Sequence, residues 1–452
     1  MTLSLQTLLF VCISGPSYSF TNQKALDLSF TKISQGRLET KPEHHATVLD
    51  SDCNSMLTRF GLISDTQYAD ADDAPNYVGN RLRRYRQSLN ILCTAVHHWN
   101  SMSEREERPI DFAVELGDMF DAKAKSARWK CLADVKGVLD LATWKPPRSY
   151  GSTNEGPVGR WHCCIGNHEL YCFTRDELQR EILHAAPAPR QMYYDFSPAP
   201  GLRFVVLDGY DVSTIAASDG EAGTRAAREF LYEQNYNIND QNIGGGGDWL
   251  LGVIGNQRRF LPYNGALGKA QLEWFEGVLL RAQNGGGGRP NSVSGTPVEK
   301  VLVFCHMPIY AACSNFNNLL WNYETVQKLL AKYPDVVVAW FAGHDHDGGY
   351  AVDPQTGVHH IIPCAPLECV PGEVSFGHVD VYADHLEVTW VGKTPAHGPS
   401  DTGLKEPWPR VLAFRKPLSD GGAFAVHSET KVNEEKNIEA GFEEAPHLRA
   451  RL

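Results

Sequence analysis

Six short apolar runs, ending at Ser64, Leu116, Ile165, Leu207, Cys305 and Phe341, constrain this chain more than any other feature. Each is rich in β-branched or aromatic residues and reads as a buried strand. Helical periodicities separate them. Leu82, Tyr85, Leu89, Leu92, Val96 and Trp99 recur every three to four residues, as the apolar face of a helix does. Leu272, Phe275, Val278 and Leu279 repeat the pattern over a shorter stretch. Strands alternating with helices predict a layered α/β architecture.

Of the 452 residues, 42% are hydrophobic, enough for a sizeable core. The sequence divides into a leader over 1–55, one α/β domain over 56–417 and a polar, then charged, tail over 418–452 that reads as disordered. Residues 1–23 carry no charged side chain, and Leu8–Ile13 is apolar throughout. The stretch is shorter than the ~20 residues that span a bilayer and lacks the basic start of a secretory signal. It reads either as a targeting segment, which would send the protein to an organelle or the secretory pathway, or as an extension of a cytoplasmic protein. No other segment is apolar enough for integral membrane association. The 11 cysteines show no metal-knuckle spacing and read as reduced, buried small hydrophobes. A net charge of −12 argues against nucleic acid as a partner, because such ligands need a basic surface. Two glycine runs, Gly244–Gly247 and Gly285–Gly288, lack the Gly-Lys-Ser/Thr ending of a phosphate loop and read as flexible surface insertions.

Residues just past the ends of these strands carry the chemistry. Asp65 and Gln67 come after the first run, and Gly117-Asp118 with Asp121 after the second. Gly166-Asn167-His168-Glu169 comes after the third, His306 after the fifth, and Gly343-His344-Asp345-His346 after the sixth. Carboxyl ends of strands in an open α/β sheet share one ligand crevice, so five strands present oxygen and nitrogen donors at one edge. Alone, each motif has a bland reading as a turn, a helix cap or a structural histidine. Together they match what two cations need: a carboxylate to share, a second carboxylate, and neutral nitrogen and oxygen donors. No thiolate is among them, which disfavours a structural zinc site.

In order, Asp-x-Gln, Gly-Asp-x-x-Asp, Gly-Asn-His-Glu, His and Gly-His-x-His resemble the calcineurin-like metallophosphoesterases. Most members have His where this chain has Gln67. The Gln variant followed by Tyr68-Ala69-Asp70 resembles the manganese-dependent ADP-ribose/CDP-alcohol diphosphatases, and Arg83-Arg84-Tyr85-Arg86, Asn264-Gly265, Trp321-Asn322 and Gly357-Val358-His359-His360 extend the match from about Phe60 to Gly392. The resemblance implies a four-layer α/β/β/α sandwich. It implies one metal on Asp65, Gln67, Asp118 and His346, a second on Asp118, Asn167, His306 and His344, and Asp118 as the bridge. A hydroxide between the metals then attacks phosphorus in line, with His168 as general acid for the leaving group.

An amide oxygen at Gln67 hardens the site and favours manganese, with magnesium, iron or zinc as other occupants. The substrate implied is a small nucleotide diphosphate, ADP-ribose or a CDP-alcohol such as CDP-choline, taken by a monomer. Tyr77 is a candidate to stack on its base or a packing aromatic, and Arg84 and Arg86, with Arg83, are candidates for its phosphates. The segment Ala311–Phe316 and a long insertion between Tyr232 and Asn256 depart from animal members and bear on base selectivity. Two rival readings stand: a phosphodiesterase or phosphomonoesterase of another substrate class, and an inactive metallophosphoesterase fold that only binds. Gln67 argues against the first and the complete donor set against the second.

Overall fold

Phe60 and Leu62 point to one side of their strand and Gly61 and Ile63 to the other, and that alternation sets the layers. The computed structural model describes residues 55–77, 79–102, 105, 108–147, 159–183, 191–285, 298–395 and 409–414. The tail, the leader before Ser55 and the second glycine run after Gly285 lie outside the described residues.

The chain begins with β1 (Thr58–Ile63), α1 (Tyr85–Met102), β2 (Phe112–Glu115), α2 (Arg128–Leu139), β3 (Trp161–Cys163), α3 (Asn167–Cys172) and α4 (Arg175–Glu181). It continues with β4 (Tyr194–Phe196), β5 (Leu202–Leu207), α5 (Glu221–Gln234), α6 (Lys269–Gln283), β6 (Lys300–Cys305), α7 (Tyr323–Ala331) and β7 (Val337–Phe341). Five strands complete it: β8 (Gly349–Val352), β9 (His359–Ile362), β10 (Ser375–Val381), β11 (His385–Gly392) and β12 (Val411–Ala413). One sheet has the order β12-β11-β10-β1-β2-β3 and the other β8-β9-β7-β6-β5-β4. Parallel strands form the centre of each: β1, β2 and β3 in the first, and β5, β6, β7 and β9 in the second.

Even-numbered residues of β1 and β6, Phe60, Leu62, Leu302 and Phe304, fill the space between the sheets. Phe60 meets Phe204, Phe304 and Phe341 of the opposite sheet edge-on, at ring separations of 5.4, 5.6 and 5.8 Å. Such pairs add about 1 kcal/mol each beyond the area they bury. Odd-numbered residues face the helices. On the first sheet α1 packs so closely that a Cβ on Gly61 would lie 2.7 Å from the Trp99 ring, and the Trp99 indole N–H donates to Gly377 O at 3.0 Å. On the second sheet α6 covers β6, and Lys332, just after α7, pairs with Glu276 of α6 at 3.1 Å. The layers are helices, sheet, sheet, helices.

All six apolar runs are strands: β1, β2, β3, β5, β6 and β7. The helix expected from Leu82 starts instead at Tyr85, because Leu82–Arg83 pairs with Ala74–Pro75 in a short ladder. The sequence pattern did not show β4 or β8 to β12. β10 is buried along its length, yet His378 and Asp380 interrupt its apolar character. Eight of the nine described cysteines are free thiols in the buried interior. No described helix is long and apolar enough to cross a membrane.

Candidate metal centre

Beyond their last ladder residues, β1 and β2 stay side by side. Asp65 N–H donates to Gly117 O at 3.1 Å and Gln67 N–H to Asp118 O at 2.7 Å. The segments after β6 and β7 behave alike, with Gly343 N–H on His306 O at 2.9 Å. To turn their side chains inward, Asp65, Gln67, Asp118 and His344 adopt positive φ, 51°, 43°, 59° and 67°. They make up all but one of the described non-glycine residues in that region, the other being Asp335. Such strain concentrates at functional sites, at a cost of about 1–3 kcal/mol each. Gly166 and Gly343 let the loops meet: a Cβ on Gly166 would lie 2.0 Å from Asp118 Oδ1, and one on Gly343 2.3 Å from Ser64 Oγ.

The hydrogen bonds fix which ring nitrogens face inward. His306 Nδ1–H donates to Leu116 O at 2.8 Å. His344 Nε2–H donates to Asn264 Oδ1 at 2.8 Å, and that oxygen is identified because Asn264 Nδ2 donates to Arg259 O and Asn317 O. The two remaining nitrogens, His306 Nε2 and His344 Nδ1, therefore present lone pairs to each other at 3.2 Å. Asp118 Oδ2 lies 3.4 Å from His306 Nε2, and donor atoms of Asp118, His306 and His344 fall within 4.8 Å of one another. Lone pairs converging on a carboxylate repel unless a proton or a metal cation lies among them; without a metal, Asp118 overcomes burial and holds His306 up to about 10. On the other side, His346 Nδ1–H donates to Glu368 Oε1 at 3.1 Å, so His346 Nε2 is again a free lone pair. It stands 3.6 Å from Asp65 Oδ1 and 2.9 Å from Gln67 Nε2. Gln67 Oε1 is buried with no partner. Turning that amide over brings its oxygen to face His346 and Asp118, which is the donor arrangement a hard cation requires.

Asp118 Oδ2 thus contacts both halves, 3.0 Å from Gln67 Nε2 on one side and 3.4 Å from His306 Nε2 on the other. Burial raises the Asp118 pKa, but positive charge beside it, on His306 first, outweighs burial and keeps the group below the ordinary carboxylate range, the same preference for a neighbouring cation that the donor set shows. Asn167 opens α3 beside this group, and its Oδ1 accepts from the Tyr210 hydroxyl at 3.2 Å. Glu169 ties the loops together by accepting from the backbone N–H of Gly166, Asp118 and Phe120 at 2.8, 2.8 and 3.2 Å. All seven donors read from the sequence meet at this one edge.

The calcineurin-like phosphoesterase family model matches residues 58–348. This chain belongs to the calcineurin-like phosphoesterase family. It is 37% identical to the manganese-dependent ADP-ribose/CDP-alcohol diphosphatase of Oryza sativa subsp. japonica, over 75% of this chain and 92% of that one. It is 31% identical to the Homo sapiens protein of the same name, over 79% and 96% of the two chains. The solved structure of a dimetal phosphatase from Danio rerio superposes with a TM-score of 0.64 at 28% identity, covering 80% of this chain and all of that one.

The phosphoesterase surrounds its metal centre with a cleft of about 990 Å³. His168 lines it, and its Nδ1 accepts from Ala122 N–H at 2.9 Å, which leaves Nε2 as the ring nitrogen carrying a proton. Asp121 Oδ2 lies 3.4 Å from the same Nδ1. Tyr77 also lines the cleft, 82% exposed. Arg84 and Arg86 lie off it. Arg84 donates to Cys369 O, and Arg86 pairs with Asp70 and Asp72 at 2.7 and 2.8 Å. The extended backbone at Leu82–Arg83 alternates sides, so Arg83, the third candidate, faces the cleft together with Arg81, which the sequence reading does not name. Arg81 bridges Asp347 and Glu368, and Arg83 Nη1 stands 3.6 Å from Asp121.

Sequence reasoning gave no role to Glu368, Asn264 or Tyr210. Glu368 lies in a 3₁₀ turn far from any motif, and nothing local marks it. Asn264 was visible only as part of a family match. The first glycine run, Gly244–Gly247, lines this cleft and is more than a surface spacer.

Proposed function

We propose that this phosphoesterase hydrolyses the diphosphate bond of ADP-ribose, CDP-alcohols or related small nucleotide diphosphates, giving a nucleoside monophosphate and a phosphorylated partner. The single observation that carries the reading is Asp118 Oδ2, in contact with two separate sets of inward-facing donors. We assign one cation to Asp65, Gln67, Asp118 and His346 and the other to Asp118, Asn167, His306 and His344. Manganese is the preferred metal, supported by the Gln67 amide and by the names of the relatives. When bound, the cations lower the pKa of water and neutralise charge on the phosphoryl group.

The chain's own residues do the rest. His168 Nε2–H is the proton source for the leaving oxygen, held in place by Ala122 N–H and Asp121. Arg81 and Arg83 give one wall of the cleft positive charge for the second phosphate. Tyr77 offers an exposed ring to a nucleobase. The net charge of −12 supports a small substrate over a nucleic acid, and we take the chain to act as a monomer.

The test is an assay of the full chain with manganese, magnesium or zinc against ADP-ribose, CDP-choline, cyclic nucleotides and an aryl phosphate, with Asp118→Ala as control. Fastest turnover of a diphosphate with manganese is expected. A preference for aryl phosphate over every diphosphate would remove the substrate assignment, and no turnover with any metal would remove the enzyme reading.

A further inference from the structure

The insertion between α5 and α6 is built to hold one aromatic side chain against the cleft. The backbone carbonyl of Trp249 accepts from Asn235 Nδ2 at 3.0 Å and Asn237 Nδ2 at 3.3 Å. The Trp249 indole N–H donates back into the insertion, to Asn242 O at 3.1 Å. Its polar atom is thereby used up, and the half-buried side chain packs on one side against the Ile238 and Phe260 cluster and lines the cleft with the rest of its ring. The run Gly244–Gly247 forms the adjoining lip, with Gly245 and Gly246 at φ of 122° and 92°, conformations that side chains rarely allow. Asp248, next to Trp249, lines the same wall; its carboxylate is exposed and accepts from Leu250 N–H at 3.2 Å.

Position relative to the metal centre gives this wall a direction. Trp249 lies 6.3 Å, ring to ring, from Tyr263, and Tyr263 lies 5.7 Å from His344. Tyr77 belongs to the other end, with Arg81, whose partner Glu368 holds His346. Aromatic rings thus flank the centre from the His344 end and from the His346 end. A diphosphate lying across the centre directs its two substituents to different walls. On the Tyr77 wall the arginines are paired, Arg81 with Asp347 and Glu368 and Arg83 with Asp121. The Trp249 wall instead carries the exposed Asp248 carboxylate, glycine backbone and the amides of Asn315 and Asn317, the latter held by Arg258 at 2.8 Å. An indole face beside a carboxylate is the pairing that recognises an organic cation, by cation–π attraction and charge.

We infer that Trp249 and Asp248 form a subsite for an alkylammonium group on the substrate's non-nucleoside end, making this chain selective for cationic CDP-alcohols over neutral ones. The inference rests on the proposed diphosphatase function and names its substrate class more narrowly.

The test compares CDP-choline with CDP-glycerol, which keeps the base and both phosphates and lacks the cation, using the full chain with manganese. Wild type is expected to favour CDP-choline. In Trp249→Ala the KM for CDP-choline rises roughly tenfold with kcat little changed, CDP-glycerol loses far less, and the preference collapses. Trp249→Phe retains most of the preference, and Asp248→Asn loses a part of it. Equal losses on both nucleotides in Trp249→Ala would show that the ring acts only through Tyr263 and His344, and would overturn the inference. An unchanged ratio would overturn it too. Wild type inert toward every CDP-alcohol and ADP-ribose would instead overturn the proposed function itself.

Discussion

Glu368 Oε1 accepts a hydrogen bond from His346 Nδ1 at 3.1 Å, and this one contact decides which nitrogen His346 turns toward the metal centre. Arg81 holds the same carboxylate at 3.2 Å. The pair joins a 3₁₀ turn to the loop after β7, so the orientation of a proposed ligand depends on a residue outside every motif.

Glu368→Gln keeps the shape and weakens the acceptor. Partners of this kind typically change metal affinity by about 10–100-fold when lost. The expected result is weaker manganese binding by titration calorimetry, with activity restored at high manganese. Unchanged affinity would mean that His346 is oriented by other contacts.

Gln67→His replaces an amide with imidazole between Asp118 and His346. Softer nitrogen donors suit zinc better than manganese. The ratio of zinc-supported to manganese-supported turnover should rise in this variant. A ratio equal to that of wild type would detach metal preference from this position.

His168→Ala removes the proposed proton source and leaves the proposed metal ligands in place. General acid catalysis contributes about 10²–10⁴-fold, so kcat on ADP-ribose should fall by that range. An aryl ester, whose leaving group needs little protonation, should lose much less. Equal losses on both would assign the His168 ring to holding the loop after β2, through Ala122 N–H at 2.9 Å.

Stability should fall in acid through two histidines away from the centre. Burial pushes His162 and His360 down to about 3. His162 is stacked on Phe196 at 3.9 Å between the sheets, and His360 on Tyr310 at 4.6 Å. Unfolded, each takes up its proton near 6.5; folded, only near 3. Between those values the unfolded chain binds more protons, so stability is lost as pH falls and levels off below about 3. Each contributes a slope of about 1.4 kcal/mol per pH unit. Denaturant unfolding of His162→Leu between about pH 6.5 and 4 should show a shallower pH dependence than wild type. The same slope would exclude His162 as a contributor.

The sequence determined the central strands, the helices with clear periodicity and the seven residues proposed as metal ligands. Each rests on a local rule: a β-branched run buried on both faces, an apolar side chain every three to four residues, or a glycine and a polar residue where a strand ends. Gln67 was legible as the departure that distinguishes this chain within its superfamily, and it proves to be where a buried amide oxygen lacks a partner. Tertiary structure alone decided what surrounds the donors. Of the three candidate arginines only Arg83 lines the cleft, joined there by Arg81 while Arg84 and Arg86 lie off it, because Leu82–Arg83 pairs with Ala74–Pro75 before α1 begins. Glu368 and Trp249 reached the cleft, and Asn264 the His344 ring, from segments without the strand-end pattern. Strand and helix identity come from neighbours a few residues apart. The contacts that orient a ligand ring join residues tens or hundreds of positions apart, and only packing the two sheets brings those together.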